Sequence, residues 1–129
     1  MTDPISNFII QIQNASLAGK ATVTVPHSNL LLAIAELLVK KGYVKSVSKK
    51  GKKVQKFLEV ELATIDGRPR VSGVQRLSKP SKRLYRGHDE IYPVKQGYGT
   101  LVVSTPKGIL SDDEARKEKV GGEILFTIW

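Results

Sequence analysis

Apolar positions along the chain change period several times, and each change marks an element. Ile5, Phe8, Ile9 and Ile12 recur at helical spacing, with Asn7, Gln11 and Asn14 on another face. Asp3 is placed to cap this helix, and Pro4 suits its first position, where no backbone N–H is needed. Gly19 is its expected stop, and Thr22 to Val25, ended by Pro26, reads as a short strand. A second helix follows a Ser28 cap, with Leu30, Ile34, Leu37 and Leu38 as its expected buried face. Lys40 and Lys41 favour its last turn, and Gly42 closes it. Tyr43 to Ser48 reads as a strand, and the turn Lys49 to Lys53 leads into another, Val54 to Leu62. There Leu58, Val60 and Leu62 alternate with Glu59 and Glu61. Asp66-Gly67-Arg68-Pro69 is a turn, and Val71 to Leu77 is expected as a third strand of the same group.

Beyond residue 77 the pattern is more broken. Ser78-Lys79-Pro80-Ser81 reads as a polar linker, and Leu84-Tyr85 and Ile91-Tyr92 as short extended pieces. Gly97-Tyr98-Gly99 suggests a turn, and Thr100 to Ser104 a strand. Thr105-Pro106-Lys107-Gly108 is a loop, after which Ile109-Leu110 resumes the extended pattern. Ser111 with Glu114 has capping-box spacing, so a short helix is expected to begin there. Gly121-Gly122 would end it, and Glu123 to Trp129 would close the fold as a strand. The expectation is an α+β protein of two subdomains. Residues 1–77 would form helices on a three-stranded sheet, and residues 78–129 a mainly β part with a short helix.

Composition narrows the function. The 129 residues carry 21 Lys and Arg against 12 Asp and Glu, a net charge of +9. Such a balance favours polyanions, nucleic acid first. There is no cysteine, so disulfides and thiolate metal sites are excluded. The longest apolar stretch, Leu30 to Val39, is interrupted by Glu36, so no membrane span is expected. Nor does the N-terminus have the basic flank and apolar core of a secretory leader.

Three features have the residue types for polyanion recognition. Eight lysines fall between Lys40 and Lys56, with Lys49, Lys50, Lys52 and Lys53 at the expected hairpin tip. They would grip phosphates or simply solvate the hairpin. Arg76, Lys79, Lys82, Arg83 and Arg86 surround Tyr85, whose ring would stack on an unpaired base or pack into the core. Ser104 and Thr105 enter a Pro/Gly loop, where their hydroxyls would meet RNA or satisfy the turn itself. A catalytic reading finds little support. His27 and His88 are far apart, Ser104 has no base in a recognisable motif, and no phosphate loop or dinucleotide fingerprint occurs. Helix-start electrostatics account for Asp112-Asp113-Glu114. A small RNA-acting enzyme remains the alternative outside the binding class, to be marked by metal- or pH-dependent turnover. No cofactor and no small-molecule substrate are expected.

The run from Gly99 through Ser104-Thr105-Pro106-Lys107-Gly108 to Asp112, with Ala115-Arg116 and Gly121-Gly122-Glu123-Ile124, resembles the small-subunit ribosomal protein S-eight family. Asp3-Pro4-Ile5, Val23-Thr24-Val25-Pro26, Lys41-Gly42-Tyr43 and Arg83-Leu84-Tyr85 agree with it, so the resemblance spans about residues 2–129 in unbroken order. The ending without a basic tail resembles that of bacterial or organellar members. The resemblance implies a non-enzymatic constituent of the small ribosomal subunit in a cytoplasmic or organellar ribosome. It would bind the central domain of 16S ribosomal RNA, help assemble the platform, and neighbour proteins S-five and S-twelve. Some bacterial members also repress their own messenger, the alternative role within RNA binding. Ser104 and Thr105 match the family's RNA-contacting hydroxyl loop, and Lys107 and Gly108 belong to the same loop. Tyr85 matches an aromatic position beside the RNA. Glu123, after Gly122, matches the place where the family's C-terminal part approaches that RNA. The chain departs from the pattern at Pro106, where the family usually has a third hydroxyl, and at Tyr98, usually aliphatic. It departs also at Gln11, Gln13 and Ala15, where many members carry Arg, Arg and Gly.

Overall fold

The computed structural model describes residues 3–52, 55–94 and 99–129, and the chain divides between Ser72 and Gly73 into two compact units. In the first, helix α1 (Pro4–Leu17) starts where the Asp3 carboxylate accepts hydrogen bonds from the Ser6 amide at 3.3 Å and the Ser6 hydroxyl at 2.6 Å. Strand β1 (Thr22–Pro26) buries Val23 and Val25 and exposes Thr22 and Thr24, the period-two pattern of a half-buried strand. Helix α2 (Asn29–Lys40) is capped by Ser28, whose hydroxyl accepts from the Leu31 amide at 3.0 Å. Its buried face is Leu31, Ile34, Ala35, Leu37 and Leu38; Leu30, expected inside, is 43% exposed, because the stripe through Ile34 and Leu38 continues to Leu31 and leaves Leu30 at its margin.

Strands β2 (Val44–Lys52) and β3 (Gln55–Leu62) pair antiparallel, and the sheet order is β1-β3-β2. Lys49 to Lys52 lie in β2 rather than in a turn. Lys53 and Val54, like Gly97-Tyr98 of the turn expected further on, fall outside the described residues. Two minimal strands, β4 (Thr64–Ile65) and β5 (Arg68–Pro69), follow. They are joined by Asp66-Gly67 with both φ angles positive (53° and 77°), the two-residue turn whose twist suits a hairpin. Phe8, Ile12, Ile34, Leu38, Leu58 and Val60 have no exposed surface and form the centre of this unit.

The strand expected over Val71 to Leu77 is shorter and belongs elsewhere. β3 has β1 on one edge and β2 on the other, so the third position of the first sheet is already taken. Strand β6 (Val74–Arg76) instead pairs with the last strand of the chain, Arg76 opposite Phe126 and Val74 opposite Ile128.

The second unit is one larger sheet with a short helix. β7 (Tyr85–Arg86) precedes a 3₁₀ turn at His88–Glu90; β8 (Thr100–Thr105) and β9 (Gly108–Ser111) form a hairpin. Helix α3 (Asp112–Glu118) follows, then β10 (Gly122–Ile128). The order is β6-β10-β8-β9, with β7 also on β10. The capping box at α3 forms as the sequence predicts, Ser111 and Glu114 each receiving the other's backbone N–H. Lys119 ends the helix in a left-handed conformation (φ 55°), before the double glycine expected to do so. Asp112, 5% exposed, accepts from the Leu101 amide at 3.2 Å and pairs with Arg116 at 3.1 Å, so this acid anchors α3 to β8. Ile91, Leu101, Val103, Ala115 and Ile124 form a buried cluster, with Leu77, Leu84, Leu110 and Val120 packed at its margin.

Candidate nucleic-acid interface

The central strand β10 builds the site by register. Glu123 stands opposite Ser104 on β8 and opposite Tyr85 on β7, so Ser104, Glu123 and Tyr85 form one row across three strands. The next row inward is Val103, Ile124 and Leu84, all in or against the buried cluster. Because side chains alternate between faces, the first row points away from that cluster. Tyr85 is 68% exposed, so of the two sequence readings the packed ring is excluded.

Close backbone approach brings this row together. A Cβ on Gly122 would lie 1.9 Å from the Ser104 carbonyl oxygen, and one on Gly121 would lie 2.3 Å from the Arg86 carbonyl oxygen. Both glycines have ordinary φ angles; what they supply is the absence of a side chain where three strands converge.

The two hydroxyls of the loop differ. Thr105 Oγ1 donates to the Gly108 carbonyl at 2.8 Å and accepts from the Lys107 amide at 3.1 Å, so its hydroxyl serves the turn. Among the described residues the Ser104 hydroxyl has no hydrogen-bond partner. Pro106 occupies the first central position of that turn, where its fixed φ is accommodated, and Gly108 takes a φ of 114°. Thr105→Ala is therefore expected to cost about 1 kcal/mol of stability, the usual net worth of a lost hydrogen bond. Ser104→Ala should leave urea unfolding unchanged. Equal midpoints for the two variants would contradict this division of roles.

Cations flank the row unevenly. Arg83 pairs with Glu123 at 3.2 Å, and the Glu123 carboxylate also accepts from the Ser78 hydroxyl. Arg76 donates to the Leu125 carbonyl. Lys107 pairs with Glu118 at 3.1 Å and Lys50 with Glu59 at 3.1 Å, both solvent-exposed pairs of small energetic weight. Lys49, Lys79, Lys82 and Arg86 are exposed and carry no ion pair among the described residues. Lys49, Lys50 and Lys52 belong to β2 in the first unit, apart in the chain from the row.

Ser78 is the position that sequence reasoning missed. The expected polar linker is instead pinned: Ser78 is fully buried, its amide donates to the Ile124 carbonyl, and the Leu77 amide donates to that of Leu125. The available signal was the pair Leu77 and Leu84, two apolar residues flanking a polar run, which both reach the same core cluster. Among the described residues no group of three or more His, Cys, Asp or Glu can hold a metal ion, and no helix is long and apolar enough to cross a membrane.

An exposed ring, a hydroxyl without a partner and flanking cations suit recognition of an irregular polyanion. The family model described as "Ribosomal protein S8" matches residues 3–129. The chain belongs to the ribosomal protein S8 family. It is 45% identical to the small ribosomal subunit protein uS8 of Persephonella marina over 135 aligned positions, covering 100% of this chain and 99% of that protein. It is also 45% identical to uS8 of Mycoplasmopsis synoviae, covering 100% and 98%, and 43% identical to uS8 of Dechloromonas aromatica, covering 99% and 98%. Membership makes the chain a structural, non-enzymatic ribosomal protein of the small subunit.

Proposed function

We propose that this protein binds the central domain of 16S ribosomal RNA directly, as a primary binder, and helps assemble the platform of the small subunit. The observation that carries this reading is the row Ser104–Glu123–Tyr85, turned away from the core with its ring and one hydroxyl available. RNA sequence is read chiefly at unstacked bases and 2′-hydroxyls, which need stacking platforms and short polar groups rather than bare charge. Tyr85 would stack on an unpaired base, a contact worth about 1–3 kcal/mol. Ser104 would hydrogen-bond a ribose or base edge. Gly122 lets β8 close on β10 beneath the row, while Gly108, with open space around it, keeps the loop free of a side chain where RNA would approach, with Lys107 beside it. Arg83, Arg86, Lys79 and Lys82 would hold phosphates around the row, positioning the RNA without reading it.

In the first unit, Lys49, Lys50, Lys52 and Lys53 supply sequence-independent attraction. Replacing these four by Gln is expected to flatten the dependence of log K on log salt by about 0.7–0.9 for each lysine that meets a phosphate. An unchanged slope in binding titrations across salt concentrations would show the hairpin to be solvated only. In this role the protein would sit in the ribosome beside proteins S-five and S-twelve, and a structural mimic of the same RNA in its own messenger would occupy the same row.

The reading is tested by titrating Ser104→Ala against cognate and random RNA. A loss confined to the cognate RNA supports it; equal losses on both would remove Ser104 from recognition.

A further inference from the structure

We propose that Ser78 is the positioning residue of the RNA-facing row, an inference that rests on the RNA-binding reading above. Residues 74–86 run along one edge of β10 as a single antiparallel path. Val74 to Arg76 pair with Ile128 to Phe126, and Leu77 and Ser78 donate to Leu125 and Ile124. The path then leaves the edge and returns, with Leu84 accepting from the Ile124 amide and Tyr85 and Arg86 pairing with Glu123 and Gly122. The excursion is closed at its base by reciprocal backbone hydrogen bonds between Lys79 and Lys82, of 2.9 and 3.0 Å. It presents Lys79, Lys82 and Arg83.

Leaving and rejoining at the same residue of β10 has a cost. Ile124 gives its carbonyl to Ser78, so the half-buried Leu84 returns without a ladder acceptor for its own amide. An amide left unpaired there would be destabilising. The Ser78 hydroxyl accepts that amide at 3.1 Å and sends its one proton to the Glu123 carboxylate. A hydrogen bond to an ionised acceptor is among the stronger kinds. One fully buried oxygen therefore fixes the backbone immediately before Tyr85 and the side chain directly opposite it. Glu123 in turn holds the Arg83 guanidinium. Ring, carboxylate and guanidinium are set by a residue that cannot touch RNA.

The test uses the full chain, titrated well below its melting temperature with a central-domain ribosomal RNA helix and with a scrambled duplex. Ser78→Ala is expected to bind the helix about tenfold more weakly, as a lost hydrogen bond to a charged group suggests, with scrambled binding unchanged. Ser78→Cys, of similar shape with a weaker donor and acceptor, should fall between the two. In a Tyr85→Ala background Ser78→Ala should cost clearly less than it does alone, because the ring it positions is gone and only the Glu123–Arg83 pair is left to be misplaced; a purely structural role would leave the two effects additive. Folded Ser78→Ala and Ser78→Cys proteins that bind the helix like wild type, or additive losses, overturn the proposal while leaving the RNA reading intact. If wild type itself fails to separate helix from scrambled duplex, the RNA reading falls and this inference with it.

Discussion

Replacing Gly122 by alanine is expected to weaken binding of the cognate RNA by about a hundredfold or more and to lower the melting temperature. The added Cβ would sit 1.9 Å from the Ser104 carbonyl oxygen, a backbone atom with no rotamer to escape into. β10 and β8 must separate at the point where the row crosses them. Overpacking of this kind costs about 1–3 kcal/mol of stability. The loss in binding is larger than the loss of any one contact, because Tyr85 and Ser104 are both placed by pairing with Glu123, the next residue. A stacked base at about 1–3 kcal/mol and one or two hydrogen bonds at about 1 kcal/mol each together give that hundredfold. Gly19→Asn is the control: Gly19 has open space around it and lies in the other unit, so its RNA affinity should match wild type. A Gly122→Ala protein with wild-type affinity would show that the close strand approach does not shape the site.

Tyr85→Ala is expected to weaken cognate binding by roughly 5- to 150-fold, the equivalent of about 1–3 kcal/mol for a stacked ring. Its thermal unfolding should barely move, since the side chain lies mostly in solvent. Tyr85→Phe should bind nearly as well as wild type, because it keeps the π-face. If Phe were as damaging as Ala, the hydroxyl and not the ring would be the contact, and stacking would have to be abandoned.

Much of this fold was readable where local chemistry decides. Asp3, Ser28 and Ser111 cap helices because a side-chain oxygen beside orphan amides works the same way in any tertiary setting. Leu58, Val60 and Leu62 announced the buried face of β3 by alternation alone. Partnership was not readable. Val74-Gln75-Arg76 has nothing in its own pattern to say that its partner is Phe126-Thr127-Ile128, at the far end of the chain, rather than β3. Leu30 was misplaced because Leu30, Leu31 and Leu32 are all apolar, so composition does not say which of the three faces the core; the structure buries Leu31.

The site divided in the same way. Basic residues around Tyr85 were visible in the sequence, but the row was not, because it is produced by register across three strands. The sequence likewise offered Ser104 and Thr105 as equals. Only the turn geometry shows that Thr105 serves its own backbone and leaves Ser104 to face outward. Ser78 resembled linker because a serine between Leu77 and Lys79 has no local signature of burial; its importance arises from the amide of Leu84 and the carboxylate of Glu123.

Direct recognition of a ribosomal RNA site is what we propose for this protein. Its most direct test is the affinity of the purified protein for a central-domain 16S helix against a scrambled duplex of equal length, at ~150 mM salt, where dedicated nucleic-acid recognition predicts a ratio of roughly 10³ or more. Equal, weak binding to both would contradict the account and leave the row without a recognition role.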